Sequence, residues 1–244
     1  VLWTRFLTFM LHQNLRHISS SEFGGIQYQK PAKLFLKTPK MRPEYFLIRH
    51  HFRDFDKFAQ ATRAWNLNIR QLGRGRFDGD LLQFGTGFAQ VAYAAFHPDT
   101  HQQGEPPQGL RTLGILSDPS SHLIWRRKTI PANAVMAFPL GAELDAVSIG
   151  GGLEVLTLSF SDELLAGISE LEGFLDLEQM LDGEDIITVS PQAITEIRRF
   201  LHRICRELQK KIQPHLKPLR YDTSSDSSCP ANCLPPCQVL VRKC

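Results

Sequence analysis

Cysteine and histidine are the side chains of this sequence best able to hold a metal ion, and they fall into a few groups. Cys229, Cys233 and Cys237 recur at C-x3-C-x3-C spacing, with Cys244 and His215 as the nearest further donors. A closed zinc site needs four ligands and most often draws them from C-x2-C pairs. The spacing departs from that pattern, and the simpler reading is a set of cysteines in a tail without a packed fold. His97, His101 and His122 lie among strand-like segments, but they include no H-x-H pair, and the segment IPANAVMAFPLGAELDA carries no histidine to complete a ligand set. No metal and no cofactor is assigned. His50-His51, between Arg49 and Arg53, is a grouping suited to a metal or a phosphate, yet a solvated entry to a helix accounts for it more simply.

The signatures of nucleophilic and phosphate chemistry are missing. There is no G-x-S-x-G elbow, no Walker loop and no dinucleotide fingerprint. Gly150-Gly151-Gly152 precedes a strand-like segment rather than opening a helix, so it does not offer the helix amino terminus that binds phosphate, and it reads as a strand-entry loop. No catalytic residue is assigned, and the chain is not expected to be an enzyme. What remains is non-covalent recognition. Arg76, Gln83, Arg111 and Trp125 are polar or aromatic residues on strand-like segments, the kind that orient a small ligand in an otherwise apolar pocket. Alternation does not settle which of them face inward, because both registers of GRFDGDLLQF mix apolar and polar residues. For each, a surface or structural role is the competing reading.

The elements that would position such residues can be read from periodicity. With 42% hydrophobic and 22% charged residues the chain lies in the ordinary globular range, so disorder throughout is excluded. A net charge of +3 is too small to imply a nucleic-acid partner by itself. No stretch approaches the roughly 20 apolar residues of a membrane-spanning helix, so no membrane partner is expected. The apolar run Phe6 to Leu11 is too short for a signal peptide. Of the 5 cysteines, only Cys205 lies in the body of the protein, which points to a reduced, cytoplasmic setting.

Residues 1–43 are basic and broken by Gly24-Gly25, Pro31, Pro39 and Pro43. They read as a poorly ordered extension, with Met41 an expected natural start. From Phe52 to Trp65, apolar residues at three- and four-residue spacing predict a short helix capped by Asp54. The segments LNIRQL, GRFDGDLLQF, GFAQVAYAAF, LRTLGIL, SHLIWRR, AVMAFP, DAVSI and LEVLTLSF then follow, bounded by Gly, Pro, Asn or Asp. Many short strands in succession predict a sandwich or barrel. Gly85-Thr86-Gly87 marks a hairpin between the second and third. Ser161, followed by Asp162 and Glu163, predicts a helix to about Leu171, and a second is expected around Leu177 to Leu181. Ser190-Pro191 opens the longest helix, ending near Lys211, with an apolar stripe and a basic opposite face.

The stretches EYFLIRHHFRDFDKFAQATRAWNLNIRQLGRGRFDGDLLQF, QQGEPPQGLRTLGIL, LIWRRKTIPANAVMAFP and ELDAVSIGGGLEVLTLSF resemble the amino-terminal sensor domain of AraC-type transcription regulators, nearest the branch of ethanolamine-operon regulators. The resemblance covers roughly residues 44–212 and is spread over many positions. It implies a mainly β fold with flanking helices (α+β): a cupin-like, jelly-roll barrel over residues 44–160 that holds an unidentified small effector, and a helical dimerisation region over 161–212. Ile197, Leu201, Ile204 and Leu208 are the expected subunit seam; the competing reading packs that stripe against the barrel of the same subunit. The resemblance further implies two helix-turn-helix motifs that read DNA. The residues after Lys217 are too few for them, and residues 213–244 read as a disordered, frameshifted tail. The chain is therefore expected to be the effector-sensing and dimerising part of a truncated regulator, forming homodimers or mixed dimers with an intact relative. The alternative is a small-molecule-binding cupin-type enzyme.

Overall fold

A computed structural model of the protein describes residues 45–62, 64–138, 143–172, 181, 184–212 and 239–242. In chain order these form β1 (Tyr45–Phe52), α1 (Phe55–Ala61), β2 (Asn66–Gln71), β3 (Asp78–Gly85), β4 (Ala89–His97), β5 (Thr100–Glu105), β6 (Arg111–Leu116), β7 (His122–Trp125), β8 (Lys128–Thr129), β9 (Ala134–Phe138), β10 (Leu144–Ile149) and β11 (Leu153–Phe160). Then come α2 (Asp162–Glu172), β12 (Ile186–Thr188), α3 (Pro191–Ile212) and β13 (Val239–Arg242). The strands make an 8-stranded sheet, β12-β9-β6-β11-β4-β3-β1-β13, and a 5-stranded sheet, β2-β5-β10-β7-β8, with antiparallel pairings throughout.

The order of strands identifies the architecture. From β4 to β11 the chain passes back and forth between sheets, with β7 and β8 in succession in the smaller, giving β4-β11-β6-β9 in one and β5-β10-β7-β8 in the other. That is the pair of interlocked Greek keys of a jelly roll. The expected mainly β, jelly-roll fold with flanking helices is what the chain adopts. Its sheets face each other across one core, to which Phe96, Met136 and Leu153 contribute from the larger sheet and Ile69, Leu123, Trp125 and Ala146 from the smaller. A second core lies on the outer face of the 8-stranded sheet, where Leu113, Ile115, Leu156 and Leu158 meet the helices.

The helices begin where their caps stand. Asp54 accepts from the Lys57 backbone N–H at 3.0 Å, Ser161 from Leu164 at 3.3 Å and Ser190 from Ala193 at 3.2 Å. The first helix is shorter than its periodicity predicts, because Phe52 ends β1 and Trp65 lies in the turn before β2. His50-His51 accordingly lies on a strand instead of at a helix entry. The polar segment THQQGE forms β5 between β2 and β10, a strand its composition does not announce. The helix expected around Leu177 to Leu181 falls almost wholly outside the described residues, as do residues 1–43 and the cysteines of the tail. Within the expected disordered tail, Val239–Arg242 instead pairs antiparallel with β1. Among the described residues no helix is long and apolar enough to cross a membrane.

Candidate functional site: the interior of the jelly roll

Inward-facing positions on the two sheets are unequal in size, and the inequality makes a cavity. On the 8-stranded sheet, Ala92 pairs with Thr157 and Ala94 with Val155. On the 5-stranded sheet, Ala146 pairs with Gln102 on one side and Trp125 on the other. These small residues face each other across the core and leave a cavity of about 70 Å³. That is several times the ~10–15 Å³ one water requires. Aromatic walls from Phe58, Phe96 and Phe138 surround it, with Leu67, Leu81, Leu123, Met136 and Leu144. Among the described residues, Thr62, Gln102 and Thr157 are the polar but uncharged lining residues besides the two indoles, and no ionisable side chain lines the space.

Two tryptophans reach the cavity by different routes. Trp125 is carried by the inward register of β7 and is 1% exposed. Trp65 arrives through the turn after α1, where the Thr62 hydroxyl donates to the Phe58 carbonyl at 3.1 Å and Ala64 takes a φ of 64°. That left-handed conformation is uncommon for a residue with a Cβ. It reverses the chain so that Trp65 packs edge-on to Phe138, with ring centroids 5.9 Å apart. Trp125 packs on Phe138 at 4.3 Å. The indole Nε1 atoms of Trp65 and Trp125 are both buried and have no hydrogen-bond partner among the described residues.

Of the four residues singled out in the sequence as effector contacts, Trp125 alone lines the cavity. Gln83 is fully buried and lies beside Ala92 in register, but it is outside the lining. Arg76 is exposed in the loop before β3. Arg111 faces the helical layer, where its Nε donates to Asp162 in the first turn of α2 at 2.6 Å. Its charge thus complements a helix amino terminus already carrying acids, and its role is to fasten α2 to the sheet. Trp65 is concealed in the sequence, since its spacing fits the apolar stripe of the preceding helix. Gln102 lies on the polar strand β5, whose existence sequence periodicity does not signal.

The histidine set is dispersed and turned away from this space. His101 Nε2 contacts Asp145 at 2.7 Å on the outer side of the 5-stranded sheet, His97 bonds the Gly151 carbonyl, and His122 is exposed. Among the described residues no group of three or more His, Cys, Asp or Glu side chains could hold a metal. The glycine triplet forms the predicted strand-entry loop. Its φ angles are 103°, 112° and 149°, and its three successive N–H groups point at one carboxylate: Gly150 donates to Asp99 at 3.1 Å, Gly151 at 2.9 Å and Gly152 at 3.0 Å. Such an anion nest is filled here by the protein's own side chain.

The expected subunit seam lies elsewhere than at an exposed surface. Ile197, Leu201, Ile204 and Leu208 are 3%, 3%, 7% and 4% exposed and pack in the core between α3 and the sheet of the same subunit. Polar contacts fix this docking: Arg198 Nε donates to the Leu116 carbonyl at 2.7 Å, and the Ser117 hydroxyl meets His202 Nε2 at 3.1 Å. Burial in the same layer pushes the Cys205 thiol up to about 12. The Tyr93 phenol is also raised, by burial and then by the charge of Glu154, to which it donates at 3.1 Å. Arg199, Arg203 and Arg206 occupy the exposed face of α3.

No protein-family model matches the chain, and no curated protein matches it. Among solved structures it is similar to the AraC-like transcriptional activator CuxR, at 12% identity, covering 66% of this chain and 70% of that one, with a TM-score of 0.37. It is also similar to vicilin from Corylus avellana (hazelnut), at 9% identity over 54% of this chain and 48% of that one, with a TM-score of 0.26. A third similarity, to the Momordica charantia 7S globulin, has 13% identity over 57% and 48% of the two chains and a TM-score of 0.25. The architecture rests on the strand order, not on these likenesses.

Proposed function

We propose that this chain is the effector-receiving part of an AraC-type transcription regulator acting in the cytoplasm, with a small molecule seated inside the jelly roll. The observation that carries the reading is the apolar cavity between the sheets, walled by aromatics and opened by Ala92, Ala94 and Ala146. Pockets that bind small molecules have this composition: mostly hydrophobic and aromatic, with a few placed polar groups. The sequence resemblance over residues 44–212 supplies the regulatory context. Because no ionisable side chain among the described residues lines the cavity, the interior is proposed as a receptor and not as a site of reaction.

In this reading subunit pairing is the output, in a homodimer or a mixed dimer with an intact relative. The stripe of Ile197, Leu201, Ile204 and Leu208 is already committed to the subunit's own sheet, so pairing falls to exposed surface, including the basic face of α3. In this proposal DNA is read not by the described residues but by the helix-turn-helix motifs that the resemblance implies, as an intact relative would supply them.

A thermal-shift screen of the 244-residue chain against small metabolites, with Ala146→Leu as the control that fills the cavity, tests reception. A ligand at about a hundred times its Kd stabilises by ~2.7 kcal/mol, which raises Tm by roughly 5–10 °C for a domain of this size. At least one compound is expected to do so for the wild type and not for Ala146→Leu. A screen in which no compound shifts Tm, or in which both proteins shift equally, overturns the proposal.

A further inference from the structure

Buried tryptophan N–H groups normally find an acceptor, because a donor removed from water without one is left at a cost. In this protein two do not, and both belong to residues that line the same cavity. Trp125 is almost wholly buried, its Nε1 has no partner, and its neighbours in the cross-strand row are Ala146 and then Gln102. Trp65, on the far side of Phe138, presents a second unpartnered Nε1. The two indoles share one aromatic neighbour and one cavity, although one comes from a strand and the other from a turn.

We infer that the interior takes a neutral, largely apolar molecule bearing a carbonyl-type acceptor oxygen, held by the indole N–H groups of Trp65 and Trp125. This rests on the proposed reading of the interior as a receptor and specifies its ligand. Neutrality follows from the lining: among the described residues no lysine, arginine or histidine faces the cavity, so an anion entering it would lose its hydration without a compensating charge. A cation would likewise meet no carboxylate there. The apolar body follows from the flat walls of Phe58, Phe96 and Phe138. The acceptor follows from the donors: an indole N–H donates and cannot accept, so a ligand group matching it must carry a lone pair. Ketones, esters and lactones meet all three requirements. The side-chain amide of Gln102 stands on the same lining as a further polar group, able to donate or accept.

The test uses the wild-type chain and three ligands of similar shape: acetophenone, ethylbenzene and benzoate. The sequence has 3 tryptophans, so protein labelled with 15N at the indole gives three side-chain resonances, and Trp65→Phe and Trp125→Phe assign the two of interest. Acetophenone is expected to bind about tenfold tighter than ethylbenzene, the worth of one good hydrogen bond. It is also expected to move the Trp65 and Trp125 indole protons downfield, while benzoate binds at least about tenfold more weakly than the ketone. Equal affinity for ethylbenzene, unmoved indole protons on saturation with acetophenone, or a preference for benzoate would each overturn the inference while leaving reception intact. Failure of all three ligands, together with a metabolite screen in which nothing binds, would remove the receptor reading and this inference with it.

Discussion

The 8-stranded sheet buries both of its faces, and the two are built differently. Toward the helices it presents Leu82, Val91, Leu113, Ile115, Val135, Leu156 and Leu158, large branched side chains that interdigitate with Ile194, Ile197, Leu201, Ile204 and Leu208. Toward the 5-stranded sheet it presents Ala92, Ala94 and Thr157 around a cavity. One face is filled by the chain itself and hydrogen-bonded to α3 at its margins; the other looks onto open space and onto two donors without an acceptor among the described residues. Close packing is the default for protein interiors. A face that departs from it while its reverse side does not is therefore informative about use, and the same strands serve stability on one side and recognition on the other.

The contrast breaks most violently at Leu201. Leu201→Asp puts a carboxylate between α3 and the sheet with no partner, and unfolding by urea is expected to show a loss of about 3–5 kcal/mol. Were the residue part of an exposed seam, the same change would alter light scattering and spare stability. A sharper comparison makes one substitution on each face. Ala137→Leu, on the helix side of β9, is expected to cost about 1–3 kcal/mol through overpacking. Ala92→Leu, on the cavity side, is expected to stay within about 1 kcal/mol of wild type, since space is there to receive it. Equal losses in urea melts would erase the distinction between the faces.

Alkaline pH probes the helical layer alone. The Cys205 thiol is raised from 9.0 to about 12 in the folded protein, so above pH 9 the unfolded chain releases a proton that the folded one keeps. The stabilisation is fully present below pH 9 and is lost as pH rises toward 12, by at most about 1.4 kcal/mol per pH unit. A Cys205→Ala variant compared with wild type in urea melts at pH 7 and pH 10 is expected to show the smaller pH dependence. The smallest effect belongs to the cap of α3: Ser190→Ala removes the acceptor for the Ala193 N–H and is expected to lower stability by about 1 kcal/mol, without changing any ligand-induced shift.

Local chemistry was legible in the sequence to the extent that it is local. Asp54, Ser161 and Ser190-Pro191 begin helices where their side chains or ring geometry say they should. The apolar strands and the Gly85-Thr86-Gly87 turn likewise stand where alternation and glycine place them. What escaped the sequence depends on partners far along the chain. THQQGE becomes a strand because β2 and β10 supply its hydrogen bonds on both sides, which no property of those six residues reveals. Arg111 and Trp125 differ in role through register alone, one facing α2 and the other the cavity. An amphipathic stripe such as that of α3 declares that it will be covered and not by what. Trp65 was hidden by a helix that stops earlier than its period, at a turn that redirects the ring.

Asp99 has a mechanical consequence. It stands where the chain leaves the larger sheet for the smaller, between β4 and β5, and the glycines it holds stand where the chain crosses back, between β10 and β11. One carboxylate thus staples both crossings at the same end of the sandwich, making that end the spine of a book whose covers are the two sheets. Widening the interior to admit a guest is then resisted at that end, and the spine sets the direction from which the book can open.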